Sequence, residues 1–175
     1  MKRFLLGVVV GVLLVLVVVY GYFRAGMAPV AASAPAMPFE KRLARMALHA
    51  RLEKEMPQNV PVPANETTYM AGAMVYSDHC AVCHGAPGKP MPVIAKGMFP
   101  HPPQLFKGKG VTDDPPGETY WKVANGIRLS GMPAFKSTLS ENEMWQVSVL
   151  LANADKASDM AKSMITGHAR PAVAR

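Results

Sequence analysis

Cys80-Ala81-Val82-Cys83-His84 constrains this chain more than any other stretch, because C-x-x-C-H is the local sequence that covalent haem attachment requires. The two thiols lie close enough on one helical turn to take both vinyl groups of a single haem as thioethers, and the adjacent His84 is then held under the iron as its proximal ligand. The chain has two cysteines in all, and both lie in this motif. A thioredoxin-like redox site would need a preceding strand within a βαβ pattern, whereas the residues upstream read as helix. A structural zinc site needs four good ligands. Only Cys80, Cys83, His84 and His79 are near, packed too tightly in sequence to close a tetrahedron comfortably. A Cys80–Cys83 disulfide would close a very short loop under strain.

Length and composition fit one small domain with appendages. The formal net charge of +7 invites a nucleic-acid reading until it is divided along the chain. Residues 1–64 hold eight Lys/Arg against three Glu, residues 65–160 hold eight against nine acidic residues, and residues 161–175 add three basic residues. The haem-bearing region is therefore near neutral, the basic excess sits at the two ends, and two haem propionates would make the middle more acidic still. No nucleic-acid motif accompanies the charge, and no nucleic-acid partner is expected.

Phe4 to Phe23 is an uncharged run of 20 residues rich in Val and Leu. As a helix such a run spans about 30 Å, the hydrocarbon thickness of a bilayer. Lys2 and Arg3 precede it, and Tyr20, Tyr22 and Phe23 crowd its far end, where an interfacial aromatic belt would lie; the N-terminus is expected in the cytoplasm. A cleaved signal peptide is the rival reading, but its apolar core is normally about 7–15 residues long. Ala32-Ser33-Ala34 and Ala34-Pro35-Ala36 look like cleavage sites yet lie well beyond the apolar run, and Pro29 disfavours cutting after Ala28. Residues 1–26 are therefore read as an uncleaved transmembrane anchor, with a cleaved secreted form as the alternative. Gly7 and Gly11 stand at a GxxxG spacing that could seat a helix dimer.

Residues 27–64 read as a linker. Met27 to Pro38 is Ala/Pro-rich and aperiodic, an extended tether. A helix is expected over 39–56, with Phe39, Leu43, Met46, Ala47 and Ala50 on one face and Lys41, Arg42, Arg45, Arg51 and Lys54 covering much of the rest. That helix either packs on the following domain, stays solvated, or lies on anionic lipid beside the anchor. Pro57, Pro61 and Pro63 end it. The haem domain is expected over 65–160. It opens with a helix from Glu66 to His79 that lines up Gly72, Tyr76 and Cys80 on one side. Gly/Pro-rich loops follow over 85–116, then a helix at about Glu118 to Asn125 bounded by Pro115, Pro116 and Gly126. Ser140-Glu141-Asn142-Glu143 is a capping box, and it starts a final helix with Met144, Val147, Leu150 and Leu151 as its apolar stripe. Residues 161–175 are expected to form a flexible tail.

Together these elements resemble the class I, mono-haem c-type cytochromes over residues 65 to about 155. The resemblance rests on Gly72 and Tyr76 ahead of the C-x-x-C-H motif, on Pro103-Gln104-Leu105, on Gly131-Met132-Pro133-Ala134-Phe135, and on the aromatic-bearing final helix. It implies a small all-α globule that encloses one haem c, covalent through Cys80 and Cys83. The first and last helices of such a fold cross closely, and Gly72 would admit the final helix near Trp145. In this family haem is ligated outside the bacterial cytoplasm, so the domain is expected in the periplasm, held at the inner membrane by its single span.

A low-spin electron carrier needs a sixth iron ligand, and a thioether raises the reduction potential by favouring the ferrous state. Among 13 methionines, physical need and family pattern select Met132, which sits in a loop between two helices and is flanked by Gly131 and Pro133. Met91 and Met98, also in loops, are its rivals, and His79 and His101 are the nitrogen alternatives. The resemblance makes Pro103 the residue whose carbonyl accepts a hydrogen bond from the proximal imidazole. Pro100 and Pro102 compete for that role, because the stretch from His84 to Pro103 is longer than in compact members of the family. Trp121 and Tyr120 are expected either to donate to a haem propionate or to pack in the core. Lys89, Lys96, Lys107, Lys109 and Lys136 flank the expected haem edge, where they would steer an acidic partner or form a solvated rim.

The chain is thus expected to be a membrane-tethered periplasmic electron carrier and not an enzyme on its own. Its partners would be a redox protein donor and acceptor, a membrane respiratory or dehydrogenase complex among them. The competing readings are a haem enzyme or gas sensor with an open distal position, and the cytochrome subunit of a dehydrogenase or oxidase complex.

Overall fold

In the computed structural model, residues 1–107, 112 and 114–168 are described. Among them the chain forms helices and no strand: α1 (Lys2–Arg24), α2 (Glu40–Glu55), α3 (Glu66–His79), α4 (Ala81–His84), α5 (Val93–Lys96), α6 (Pro116–Asn125), α7 (Glu141–Ala152) and α8 (Asp159–His168). The fold is all-α, as the sequence implies. It divides into two compact units, one from Met1 to Arg45 and one from Met46 onward.

The first unit holds α1, 23 residues of which none is buried. Among the described residues it is the one helix long and apolar enough to cross a membrane. The second unit starts well before Asn65, because the end of α2 is part of it. Leu52 is 2% exposed there and Leu48 is half-buried, whereas Met46, on the face expected to pack, is 61% exposed. The reason lies in the spacing: Leu48 and Leu52 stand one turn apart on the opposite side of the helix, a second apolar stripe shorter than the first. Just beyond it Pro57 lies so close to Gly117 that a Cβ on that glycine would stand 2.0 Å from the Pro57 carbonyl oxygen.

The core of the second unit is the crossing of α3 and α7. Asn65 caps α3 by accepting a hydrogen bond from the Thr68 backbone N–H at 3.0 Å. The helix then buries Tyr69, Gly72, Ala73 and Tyr76 along one side. At Gly72 the two helices meet nearly backbone to backbone: a Cβ there would stand 2.4 Å from the carbonyl oxygen of Gln146 and 3.0 Å from Leu150 Cβ. The approach is therefore centred on Gln146 and Leu150, beside the expected Trp145, whose ring instead stacks on Tyr120 of α6 with centroids 4.1 Å apart.

α7 begins on the expected capping box. Ser140 Oγ accepts from the Glu143 backbone N–H at 3.3 Å, and Glu143 Oε2 accepts from the Ser140 backbone N–H at 2.8 Å. The Ser140 hydroxyl, which donates to Glu143 Oε2 at 2.6 Å, and the Ser140 backbone N–H together hold the Glu143 carboxyl below the usual carboxylate range. Met144, Val147, Leu150 and Leu151 are all buried, so the stripe read from sequence faces inward.

The C-terminal region departs from expectation. Residues 161 onward are not a simple tail: α8 packs on α3, with Ala161 and Ile165 fully buried. Ala157, Ala161, Met164 and Ile165 recur at helical spacing, and this short stripe is what carries the helix. Residues 169–175 of the expected tail lie outside the described residues, as does Lys109 of the expected basic rim.

Gly72→Val should destabilise the domain by about 3 kcal/mol, the cost of forcing side-chain carbons into a closed contact. Gly167→Ala, on α8 where a Cβ meets nothing within 4 Å, should be neutral or slightly stabilising. Denaturant unfolding of the two variants against the wild type checks both.

Candidate haem site

α3 hands over to α4 through one turn. Cys80 donates its backbone N–H to Tyr76 O at 2.9 Å, and the N–H groups of Cys83 and His84 both donate to Cys80 O, at 3.1 and 2.9 Å. Both thiols and the imidazole are thus carried by backbone anchored to α3, one of the two helices that cross in the core. The two cysteines are unpaired and half-buried. Burial pushes the Cys80 thiol up to about 12, with the neighbouring Cys83 acting in the same direction. At neutral pH Cys80 is a thiol, not a thiolate.

His84 is held from the other side. Its Nδ1 lies 2.8 Å from the carbonyl oxygen of Pro103. A carbonyl can only accept, so Nδ1 carries the proton and Nε2 keeps its lone pair. Burial lowers the pKa of this imidazole, which the Pro103 bond partly opposes. The neutral tautomer with a free Nε2 is the form that ligates a metal. Of the three prolines that compete for this role, it is Pro103 whose carbonyl stands here.

Tyr76 braces the same turn from below. Its hydroxyl donates to the Gly85 carbonyl at 2.7 Å, and its fully buried ring meets Phe106 edge-on with centroids 5.0 Å apart. Gly85 itself adopts φ +76, and a Cβ there would press within 3.3 Å of both Gln104 Nε2 and Pro92 Cδ. Beside His84 opens a cleft of about 690 Å³, lined among others by His84, Lys89, Met91, Gln104, Phe106 and Lys107.

Met132 lies on the loop between α6 and α7. It is half-buried and packs against the hydrophobic core, but it is not among the residues lining the cleft beside His84. Met91, one of its rivals, does line that cleft. The loop around Met132 is tightly tied. Ile127 donates its N–H to Met132 O at 3.2 Å; Ser130 Oγ donates to Ile127 O at 2.6 Å and accepts from the Met132 N–H at 3.2 Å. Gly126, at φ +67, lets the strand of chain after Met132 lie directly on the end of α6: a Cβ there would stand 2.7 Å from Ala134 N. Phe135 and Lys136 then donate back to the carbonyls of Val123 and Ala124, at 3.0 and 3.3 Å.

The remaining candidates are placed elsewhere. Trp121 Nε1 donates to Glu55 Oε2 of α2 at 3.1 Å, so its one N–H has a protein partner in place of the haem carboxylate expected. The ring of Tyr120 is taken by Trp145. His101 Nδ1 donates to Ala95 O at 3.0 Å, and His79 meets Phe135 edge-on at 6.2 Å. Lys89, Lys96, Lys107 and Lys136 are exposed. The supports that the sequence reading missed are Ser130, a hydroxyl two residues before Met132 that has a recognisable turn signature, and the Tyr76 hydroxyl, whose carbonyl partner has no local signal.

The donor set fits haem c. Two thiols share one turn with an imidazole in its metal-binding tautomer, and a cleft opens at that imidazole. Residues 67–151 match the family model described as cytochrome c oxidase, cbb3-type, subunit III. No curated protein and no solved structure matches the chain.

Removal of the Tyr76 hydroxyl strips the buried Gly85 carbonyl of its partner while leaving the ring in place. Tyr76→Phe should cost about 2 kcal/mol, read as a lowered unfolding midpoint of the haem-loaded protein.

Proposed function

Since residues 67–151 form a c-type cytochrome domain that binds haem c covalently, with Cys80 and Cys83 supplying the thiols, we propose that the chain is a membrane-tethered periplasmic electron carrier with His84 and Met132 as its axial ligands. The observation that carries this reading is the His84–Pro103 hydrogen bond: a 2.8 Å contact that leaves Nε2 as a lone-pair donor beside two thiols on the same turn.

When bound, the haem supplies one-electron exchange between ferric and ferrous iron. The residues of the chain set the conditions for that exchange. Pro103 fixes the ring orientation of His84 and, by accepting its Nδ1 proton, makes Nε2 a better donor. Ser130 closes the Met132 loop, donating to Ile127 O and accepting from the Met132 N–H, and so fixes the backbone from which the thioether projects. A sulfur ligand held this way favours the reduced state. It also occupies the position that a peroxide or gas molecule would need, which supports a carrier over an enzyme or sensor. Trp121 takes no part in the site on this reading; its hydrogen bond to Glu55 seats the end of α2 on the domain.

α1 places the domain at the membrane. Its apolar length supports a single span, and confinement by a short tether raises the effective concentration of the domain near membrane-bound partners. The description of the matched family supports a membrane respiratory complex as the partner class. Lys89, Lys96, Lys107 and Lys136 would then meet an acidic rim on the partner.

Two outcomes test this. In Met132→Ala the weak far-red sulfur-to-iron band of the ferric protein should vanish and the ferrous form should bind carbon monoxide readily, whereas Met91→Ala should leave both unchanged; the reverse pattern would make Met91 the ligand and an unaffected pair would leave the distal position open. Expressed in a host with periplasmic haem maturation, the full chain should stay in the membrane pellet through alkaline carbonate washing. Release as a shortened soluble form would instead mean that the N-terminal segment is cleaved.

A further inference from the structure

Met98 lies across the loop that carries Met132. If Gly131 had a Cβ, its three nearest neighbours would all be atoms of the Met98 side chain, with Cε at 1.8 Å, Sδ at 3.5 Å and Cγ at 3.9 Å. The methyl of Met98 therefore occupies the space that the glycine leaves open, one residue before the proposed ligand. The other supports of this loop act from different directions: Ser130 ties it internally, and Gly126 seats the chain that follows Met132 on the end of α6.

The segment that brings Met98 there is itself braced. Met98 donates its N–H to Ala95 O at 3.3 Å, the same carbonyl accepts from His101 Nδ1 at 3.0 Å, and Ala95 is fully buried. Five residues further on, Pro103 accepts the hydrogen bond from His84. One short stretch of chain, 95–103, thus reaches the support of both proposed axial ligands.

We propose that Met98 is a positioning residue for the distal ligand: its side chain, packed into the gap at Gly131, holds the Met132 loop closed over the iron. The inference rests on the reading of Met132 as the axial ligand. Met98 touches no iron on this account. It acts by opposing the outward swing of the loop that must precede release of the Met132 sulfur, so its removal raises the rate at which an outside ligand reaches ferric iron.

The probe is imidazole, added to the oxidised, haem-loaded full chain in detergent, with its binding rate followed optically. Met98→Ala should keep the far-red band at rest but take up imidazole about tenfold faster, the rate change for roughly one side chain's worth of lost packing. Met98→Leu, which refills the gap, should return the rate to within about twofold of wild type. Gly131→Ala displaces the Met98 methyl from the other side and should accelerate binding as Met98→Ala does, so the proposal stays testable if either variant folds poorly. A wild-type rate in both Met98→Ala and Gly131→Ala would overturn it, as would an accelerated rate in Met98→Leu equal to that of Met98→Ala. Met132→Ala serves as the reference: if its ferric spectrum equals that of wild type, the ligand assignment fails, whereas loss of the far-red band together with an unchanged Met98→Ala rate means that the positioning role alone fails.

Discussion

The close crossing of α3 and α7 is the contact on which the rest of the domain depends. With no side chain at Gly72, α3 lies against the Gln146 carbonyl and Leu150 of α7. That approach closes the apolar interior around Tyr76, Val147 and Leu150, all fully buried. Because α3 passes directly into the turn that carries Cys80, Cys83 and His84, its position decides where those three side chains stand. α6 and α8 pack on opposite partners of this pair, α6 on α7 and α8 on α3, and so fix the crossing from both sides.

From that base, both proposed axial ligands are supported mainly by backbone groups. Pro103 offers a carbonyl to His84, and Gly85 receives the Tyr76 hydroxyl just beyond it. On the other side the Met132 loop is closed by its own peptide groups and one serine. Carbonyls and amides of the main chain have fixed directions and no protonation equilibrium of their own near neutral pH. A ligand held by them experiences little reorganisation when the charge on the iron changes, which is what a one-electron carrier needs. The stretch 95–103 adds a direct link between the two sides, since its Met98 bears on Gly131 and its Pro103 on His84.

Much of this was legible in the residues because it is local. C-x-x-C-H names the attachment turn, Ser140 and Glu143 announce the start of α7, Gly126 marks the end of α6, and the helix 66–79 shows its buried side in Gly72 and Tyr76. Features that escaped are those decided by distant partners. The end of α2 carries two apolar stripes, and which one packs is chosen by Pro57 and Gly117, not by the helix itself. Trp121 has one N–H and two chemically reasonable acceptors; its pairing with Glu55 follows from where α2 is seated. Met98 looks like any loop methionine until it is found in the gap above Gly131. α8 is the exception, since Ala157, Ala161 and Ile165 did carry a readable period, masked by a small, alanine-rich stripe.

The central claim is a His/thioether ligand pair at a covalently bound haem. Near-infrared magnetic circular dichroism of the oxidised full-length protein at neutral pH reads the axial pair directly from the energy of its ligand-to-metal band. A low-spin band in the region of histidine–methionine coordination is the predicted result. A bis-nitrogen band, or a high-spin spectrum with no thioether signature, would contradict the account and assign the distal position to another ligand or to open solvent.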